Sequence, residues 1–333
     1  MRVLSTLLIL ALTACTQTLS APPLASDVGD DQSTPAVDGD DWVADGTEDS
    51  LDDTLEGEEE PADDVDDGVN EYLSDPMGLE TPCRGDRVSS ASVDVLLLLS
   101  DSSTVTDIYD VSARIDAIAT IFETCGDPWG LFPTTYRQIT RRIIQAIETR
   151  EIEDENWGRA IVLDFAGRYF DNLREALSNG RPSYAWDQYY YLADRSDVSR
   201  TRAVVVAMVA HLTLDLPYAL VAVQSTDDHE DDYFVLGELM IEIADVFIED
   251  LRYYYDTDPE DLLNGFFFGN WVDGAFGEDT TITLNYQTIR TKSWNNHRLL
   301  KQWWGGWIAA GEIYSAFWTM DGILATLDAS GTI

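Results

Sequence analysis

Residues 27–80 contain 22 aspartates and glutamates and not one lysine or arginine. Such a segment, poor in large apolar side chains, cannot bury enough surface to offset the entropy lost on ordering, and its like charges repel and extend it. It is therefore expected to be a disordered acidic tether, and the core must come from the residues beyond it. Windows 41–46 and 63–68 come nearest to a calcium loop, but Val43 and Val65 fill the third ligand position and no Glu stands at the twelfth. A dedicated calcium site is rejected on that ground.

Before the tether, MRVLSTLLILALTAC has one basic residue, an apolar run from Val3 to Leu12, and then Thr13-Ala14-Cys15. This is the pattern of a bacterial lipoprotein signal peptide over residues 1–14, with Cys15 as the lipid-modified residue. Thr16, rather than Asp, follows the cysteine, so the expected address is the outer membrane, on its periplasmic or its surface side. Two or more acyl chains, palmitate among them, would anchor the protein stably with no spanning helix. The lipid-anchored linker, residues 15–82, would average roughly 45 Å end to end as a flexible coil.

Cys83 and Cys125 are the remaining cysteines. An even pair in an oxidising compartment reads as a disulfide. Beyond residue 80 the chain holds 40 acidic and 19 basic residues, with lysine only at Lys292 and Lys301. That balance argues against nucleic acid, which needs a basic footprint, and against anionic membrane surfaces. Contact with the membrane is expected through the lipid anchor alone. A saline medium and a basic partner would both suit this acidity, and composition does not choose between them.

Residues 83–333 are long enough for one large domain, and their periodicity is helical. Phe132, Tyr136, Ile139, Ile143 and Ile147 recur at helical spacing in residues 131–149, as do Ile161, Phe165, Tyr169 and Leu173 in residues 156–177. Further helices are expected over 202–224, 231–255 and 288–328, the last interrupted at Gly305-Gly306. Residues 265–286 are rich in glycine and aromatics and read as an inserted loop or hairpin. Residues 93–99 fit a strand or a helical turn equally well. The fold expected is all-α, a single multi-helix domain carrying that insertion.

Residues 203–223 are long and apolar enough to cross a bilayer. Asp215 near the centre, with His211 and Pro217, opposes that reading, since a central Asp costs about 2.5–3.5 kcal/mol on insertion scales. A core helix surrounded by other helices is the better expectation. His211 and Asp215, four residues apart, share one helix face, and Pro217 cannot donate to the carbonyl of Thr213. Arg168 and Glu238 are their candidate partners. Two readings are open. In one, Arg168 pairs with Asp215 in a satisfied structural network. In the other, His211, Asp215 and Glu238 form an acid–base or divalent-metal site, with Arg168 orienting an anionic group. His229 is expected to be exposed, and His297 fits either the cluster or solvent. No nucleophile elbow, phosphate loop or dinucleotide fingerprint is present.

Arg168-Tyr169-Phe170, the run Ala210-His211-Leu212-Thr213-Leu214-Asp215-Leu216, then Phe234, and Arg290 with Trp294 occur in the order and approximate spacing of a known family. Over residues 110–300 the chain resembles the domain of unknown function 5995 family, most clearly across residues 135–220. The resemblance implies a helical domain with a shared polar site and no established reaction. Thr213, Tyr233 and Glu238 depart from the residues frequent in the family, and Glu238 would add a carboxylate to the site.

Six of the ten tryptophans fall between Trp271 and Trp318. Exposed aromatics stack on sugars and anchor protein interfaces, so Trp271 and Trp307 are candidates for glycan or protein binding. The helical spacing of Trp303 and Trp307 favours core packing instead. The function expected is that of an envelope lipoprotein presenting a helical binding domain, and the alternative is a hydrolase.

Overall fold

Cys83–Arg84 (β1) and Arg87–Val88 (β2) form a short antiparallel hairpin, with Cys83 opposite Val88. In the computed structural model residues 81–263 and 286–333 are described; the signal peptide, Cys15, the tether, Trp271 and all of the expected 265–286 insertion but Tyr286 lie outside them. After the hairpin the domain is helical: Ser90–Leu99 (α1), Ile108–Cys125 (α2), Leu131–Glu148 (α3), Glu155–Leu177 (α4), Tyr184–Ala193 (α5), Arg200–Ala222 (α6), Glu230–Glu242 (α7), Ala244–Tyr255 (α8), Tyr286–Leu300 (α9) and Gly306–Ala329 (α10). Among the described residues the domain is all-α apart from this hairpin.

Helix starts follow local chemistry. Ser89, Asp107, Asp154 and Ser199 each accept a backbone N–H of the first turn of α1, α2, α4 and α6, satisfying donors that have no partner inside the helix. The region 93–99 is settled as helix by the Ser89 cap. Residues 231–255 form two helices rather than one, because the chain leaves helical geometry at Ile243 (φ −100°, ψ 11°). The expected break before α10 occurs at Gly305, where a Cβ would stand 2.0 Å from the carbonyl oxygen of Leu299. Only glycine allows the corner to close that tightly.

α6 is the axis of the domain. α3, α4, α5, α9 and α10 all pack on it, and residues Ala203 to Ala210 are buried on every side. Its apolar window is long enough to cross a membrane, yet 83% of it is buried inside the protein, which is the disposition of a core helix. Around it, α2 and α3 are joined by a buried ion pair: Arg137 Nη2 donates to Glu123 Oε1 at 2.7 Å and Nη1 to Oε2 at 3.1 Å.

The hairpin is tied to the end of α2 by a Cys83–Cys125 disulfide, with Cα atoms 5.4 Å apart across 42 residues of sequence. Beside it the buried carboxylate of Asp127 accepts from Arg87 Nη1 (2.7 Å) and from the backbone N–H of Val88 (3.0 Å) and Trp129 (3.1 Å). The bridge thus closes a loop already fixed by hydrogen bonds. Replacing both cysteines by serine should lower unfolding free energy by about 4 kcal/mol in the chain-entropy model. Denaturant titration of oxidised wild type and double variant measures this, and a difference near zero would mean that the hairpin contacts alone hold the loop.

Candidate functional site

The candidate site begins with an irregularity in α6. Residues His211–Asp215 form a π turn between α-helical Arg200–Ala210 and Leu216–Ala222. The cause is local: Pro217 has no N–H for the i−4 carbonyl, so the backbone widens. The N–H of Leu216 reaches back five residues to the carbonyl of His211. The carbonyl of Leu212, freed by that shift, accepts instead from Ser293 Oγ of α9 at 2.5 Å. Thr213 Oγ1 donates to the carbonyl of Val209 at 2.7 Å.

Within this turn His211 Nδ1 lies 2.9 Å from Asp215 Oδ2, and both residues are buried. Trp186 of α5 donates its indole N–H to the same oxygen at 2.7 Å. Four aromatic rings enclose the imidazole. Phe165 of α4 stacks on it at 3.5 Å between centroids, and Phe132 and Tyr136 of α3 and Trp186 meet it edge-on. Burial pushes the His211 pKa down, partly opposed by Asp215, so the ring is neutral at neutral pH. With Asp215 Oδ2 accepting from both neighbours, the proton of the neutral imidazole is assigned to Nδ1. Nε2 is then a bare acceptor, buried and without a protein partner.

His211 belongs to the wall of a cavity of about 70 Å³ bounded by α3, α4, α6, α7 and α9. Ile139, Ile143, Ile161, Val162, Leu236 and Met240 make its surface largely apolar, and Tyr233, Tyr286 and Arg290 close another side. Among the described residues no aspartate or glutamate lines it.

Sequence reasoning placed His211 and Asp215 together, and the geometry does the same. It separates the other two candidates from them. Arg168 is half-exposed and donates through Nε to Asp164 Oδ1 at 2.6 Å, so it does not pair with Asp215. Glu238 is exposed: the inner face of α7 is Tyr233, Leu236, Gly237 and Met240, at i, i+3, i+4 and i+7, which turns Glu238 outward. The metal reading therefore loses its third ligand. Among the described residues no three His, Cys, Asp or Glu side chains are arranged to hold an ion. Trp186 was not expected in the site; its only sequence signal is an indole in an aromatic run, which buries well but needs an acceptor.

His229 is half-buried rather than exposed, stacked on Trp157 and closing a capping box with Thr226. His297 is buried against Trp294 at 4.3 Å and is absent from the cavity wall. Trp303 and Trp307 are 95% and 77% exposed. The core-packing expectation for them is corrected, because their four-residue spacing runs across the break at Gly305 and does not describe one helix face.

The family model described as a family of unknown function, DUF5995, matches residues 108–306. The chain belongs to the DUF5995 family. The match runs from the start of α2 to the start of α10 and includes every residue of the cavity wall. No curated protein and no solved structure gives a significant match to the chain. Membership in DUF5995 thus supplies a shared fold and no reaction.

Two buried histidines give this DUF5995 domain a signed pH dependence. Burial lowers His211, and it lowers His297 to about 4. Both are neutral when folded, whereas the unfolded chain takes up protons near pH 6.5. Their contribution is complete above about pH 6.5 and is lost on acidification, by up to about 1.4 kcal/mol per pH unit for each histidine. Urea unfolding of wild type and His297→Gln at about pH 7.5 and about pH 5 should show the smaller acid loss in the variant; identical losses would place the titration elsewhere.

Proposed function

We propose that this protein is a lipid-anchored envelope protein, held through Cys15 on an acidic tether, whose DUF5995 domain binds a small and largely apolar ligand in the cavity beside His211. The observation that carries the reading is an apolar cavity lined by His211, whose Nε2 is buried and unpartnered. Small-molecule sites commonly have apolar walls and a few oriented polar groups. An unpaired buried acceptor costs about 1–3 kcal/mol, which a ligand donor would recover.

A hydrolytic reading rests on the same dyad. A neutral histidine oriented by a carboxylate through Nδ1 and bare at Nε2 is the arrangement of a general base. No described serine or cysteine lines the cavity to act as nucleophile, so binding is the reading the geometry favours. Trp303 and Trp307 support a further contact with glycan or protein at the α9–α10 corner.

The neutral probe N-phenyl-1-naphthylamine should bind the wild type with one saturable site, and Val162→Phe, which fills the cavity, should weaken it at least about tenfold. Equal binding by a folded Val162→Phe would exclude this cavity. Ester turnover lost in His211→Gln with probe binding retained would put hydrolysis first. For the anchor, Cys15→Ser should abolish labelling by palmitate and release the protein from the membrane fraction; persistent labelling would mean that another residue carries the lipid.

A further inference from the structure

Arg290 differs from the other deeply buried arginines. Arg114 pairs with Asp110 at 2.8 Å and Arg137 with Glu123 at 2.7 Å. Arg290 is just as buried, at 3% exposure, and among the described residues no carboxylate lies within 4 Å of its guanidinium. Its partners are neutral. Nη1 donates to the hydroxyl of Tyr286 at 3.1 Å, Nη2 donates to the carbonyl of Tyr233, and the ring of Tyr233 lies 4.2 Å from the guanidinium carbon. Nε–H has no acceptor. A buried cation without a counter-charge costs several kcal/mol, more than a π face and two neutral acceptors return.

The position of this group is enforced. A Cβ on Gly237 would stand 2.1 Å from Nη1, so the glycine gives the guanidinium its berth beside α7. The tyrosine contacts fix its plane. Among the described residues Arg290 is also the one arginine or lysine in the cavity wall, and no acidic side chain lines it. The chain has thus placed a single positive charge, rigidly held and still able to donate, against an apolar chamber.

Resting on the cavity reading above, we propose that Arg290 is an anion anchor and that the ligand is an amphipathic monocarboxylic acid, its carboxylate on Arg290 and its hydrocarbon body against the isoleucine-rich wall. The carboxylate is chosen over phosphate because one cation neutralises one charge, and a dianion would carry an uncompensated charge into the same apolar space. Arg matches the two carboxylate oxygens in geometry as well as charge. His211 Nε2 remains an acceptor for a hydroxyl elsewhere on such a ligand.

The test uses the chain from residue 15 onward with Cys15→Ser, so that no acyl chain of its own competes, at a pH where the acid is ionised. Decanoate and decan-1-ol share a tail and differ in the head, and both are titrated by calorimetry and by displacement of N-phenyl-1-naphthylamine. Decanoate is expected to bind about 10- to 100-fold more tightly than decan-1-ol, the advantage of a charge-assisted hydrogen bond. Arg290→Gln should abolish that preference, and Arg290→Lys should restore part of it. Equal binding of the two ligands by the wild type overturns the anion anchor and leaves the apolar cavity standing. Failure of decanoate, decan-1-ol and the probe to bind overturns both. The wild-type comparison needs no variant, so a misfolded Arg290→Gln leaves the question decidable.

Discussion

Pro217 removes one backbone donor from the most buried helix of the domain, and the site depends on how the chain absorbs that loss. An orphaned carbonyl in an apolar core costs a hydrogen bond with no solvent to replace it. The π turn moves the defect one residue along, so that Leu212 rather than Thr213 presents a carbonyl to a neighbouring helix, and Ser293 of α9 closes the account. The repair joins α6 to α9, the helix that also carries Arg290. The wider turn keeps His211 and Asp215 on one side while Phe165, Tyr136 and Trp186 close around them. Geometry that begins as a backbone defect ends as an oriented imidazole at a cavity wall.

Electrostatics then separates what is structural from what is available. Asp215 is buried but receives two N–H donors on one oxygen, which supports a charge where water cannot. Glu123 and Asp127 are likewise buried and held by an arginine, a hydroxyl or backbone amides. These groups are satisfied inside the fold. His211 Nε2 and Arg290 Nε are not, and both residues border the same cavity. The Tyr136 and Tyr233 hydroxyls are pushed up by burial and stay protonated, and that of Tyr233 donates to the carbonyl of Arg290 at 2.7 Å.

Most of the helices could be read in the sequence because their inner faces keep a strict period. Phe132, Tyr136, Ile139 and Ile143 run along one side of α3, and the caps at Asp154 and Ser199 mark the next starts. α5 could not be read so: YAWDQYYYLA is aromatic at nearly every turn, and only tertiary packing decides that Trp186 and Tyr189 go inward while Tyr191 stays out. The break at Ile243 has no glycine or proline to announce it. Spacing brought His211 to Asp215 because four residues suffice within one helix. It could not exclude Arg168 or Glu238, whose rotation about α4 and α7 is set by their neighbours. Arg290 was legible as part of the family pattern, but its want of a counter-charge is a property of three helices together.

A 23-residue apolar helix is stable in two environments, a bilayer or a protein interior, and its own sequence is compatible with the length of either. Asp215 breaks the tie. In lipid its carboxylate would lack fixed donors, whereas α5 brings the Trp186 N–H to it and the π turn brings His211. Leu and Val on every side then serve to receive α3, α4, α5, α9 and α10 at once. A helix packed on all faces has no polar side on which to hide a charged pair, so the His–Asp couple must either be silenced within the core or open onto an internal space. One edge of the couple, the Asp215 oxygen, is silenced by Trp186; at the other, His211 lines the cavity and its Nε2 has no protein partner.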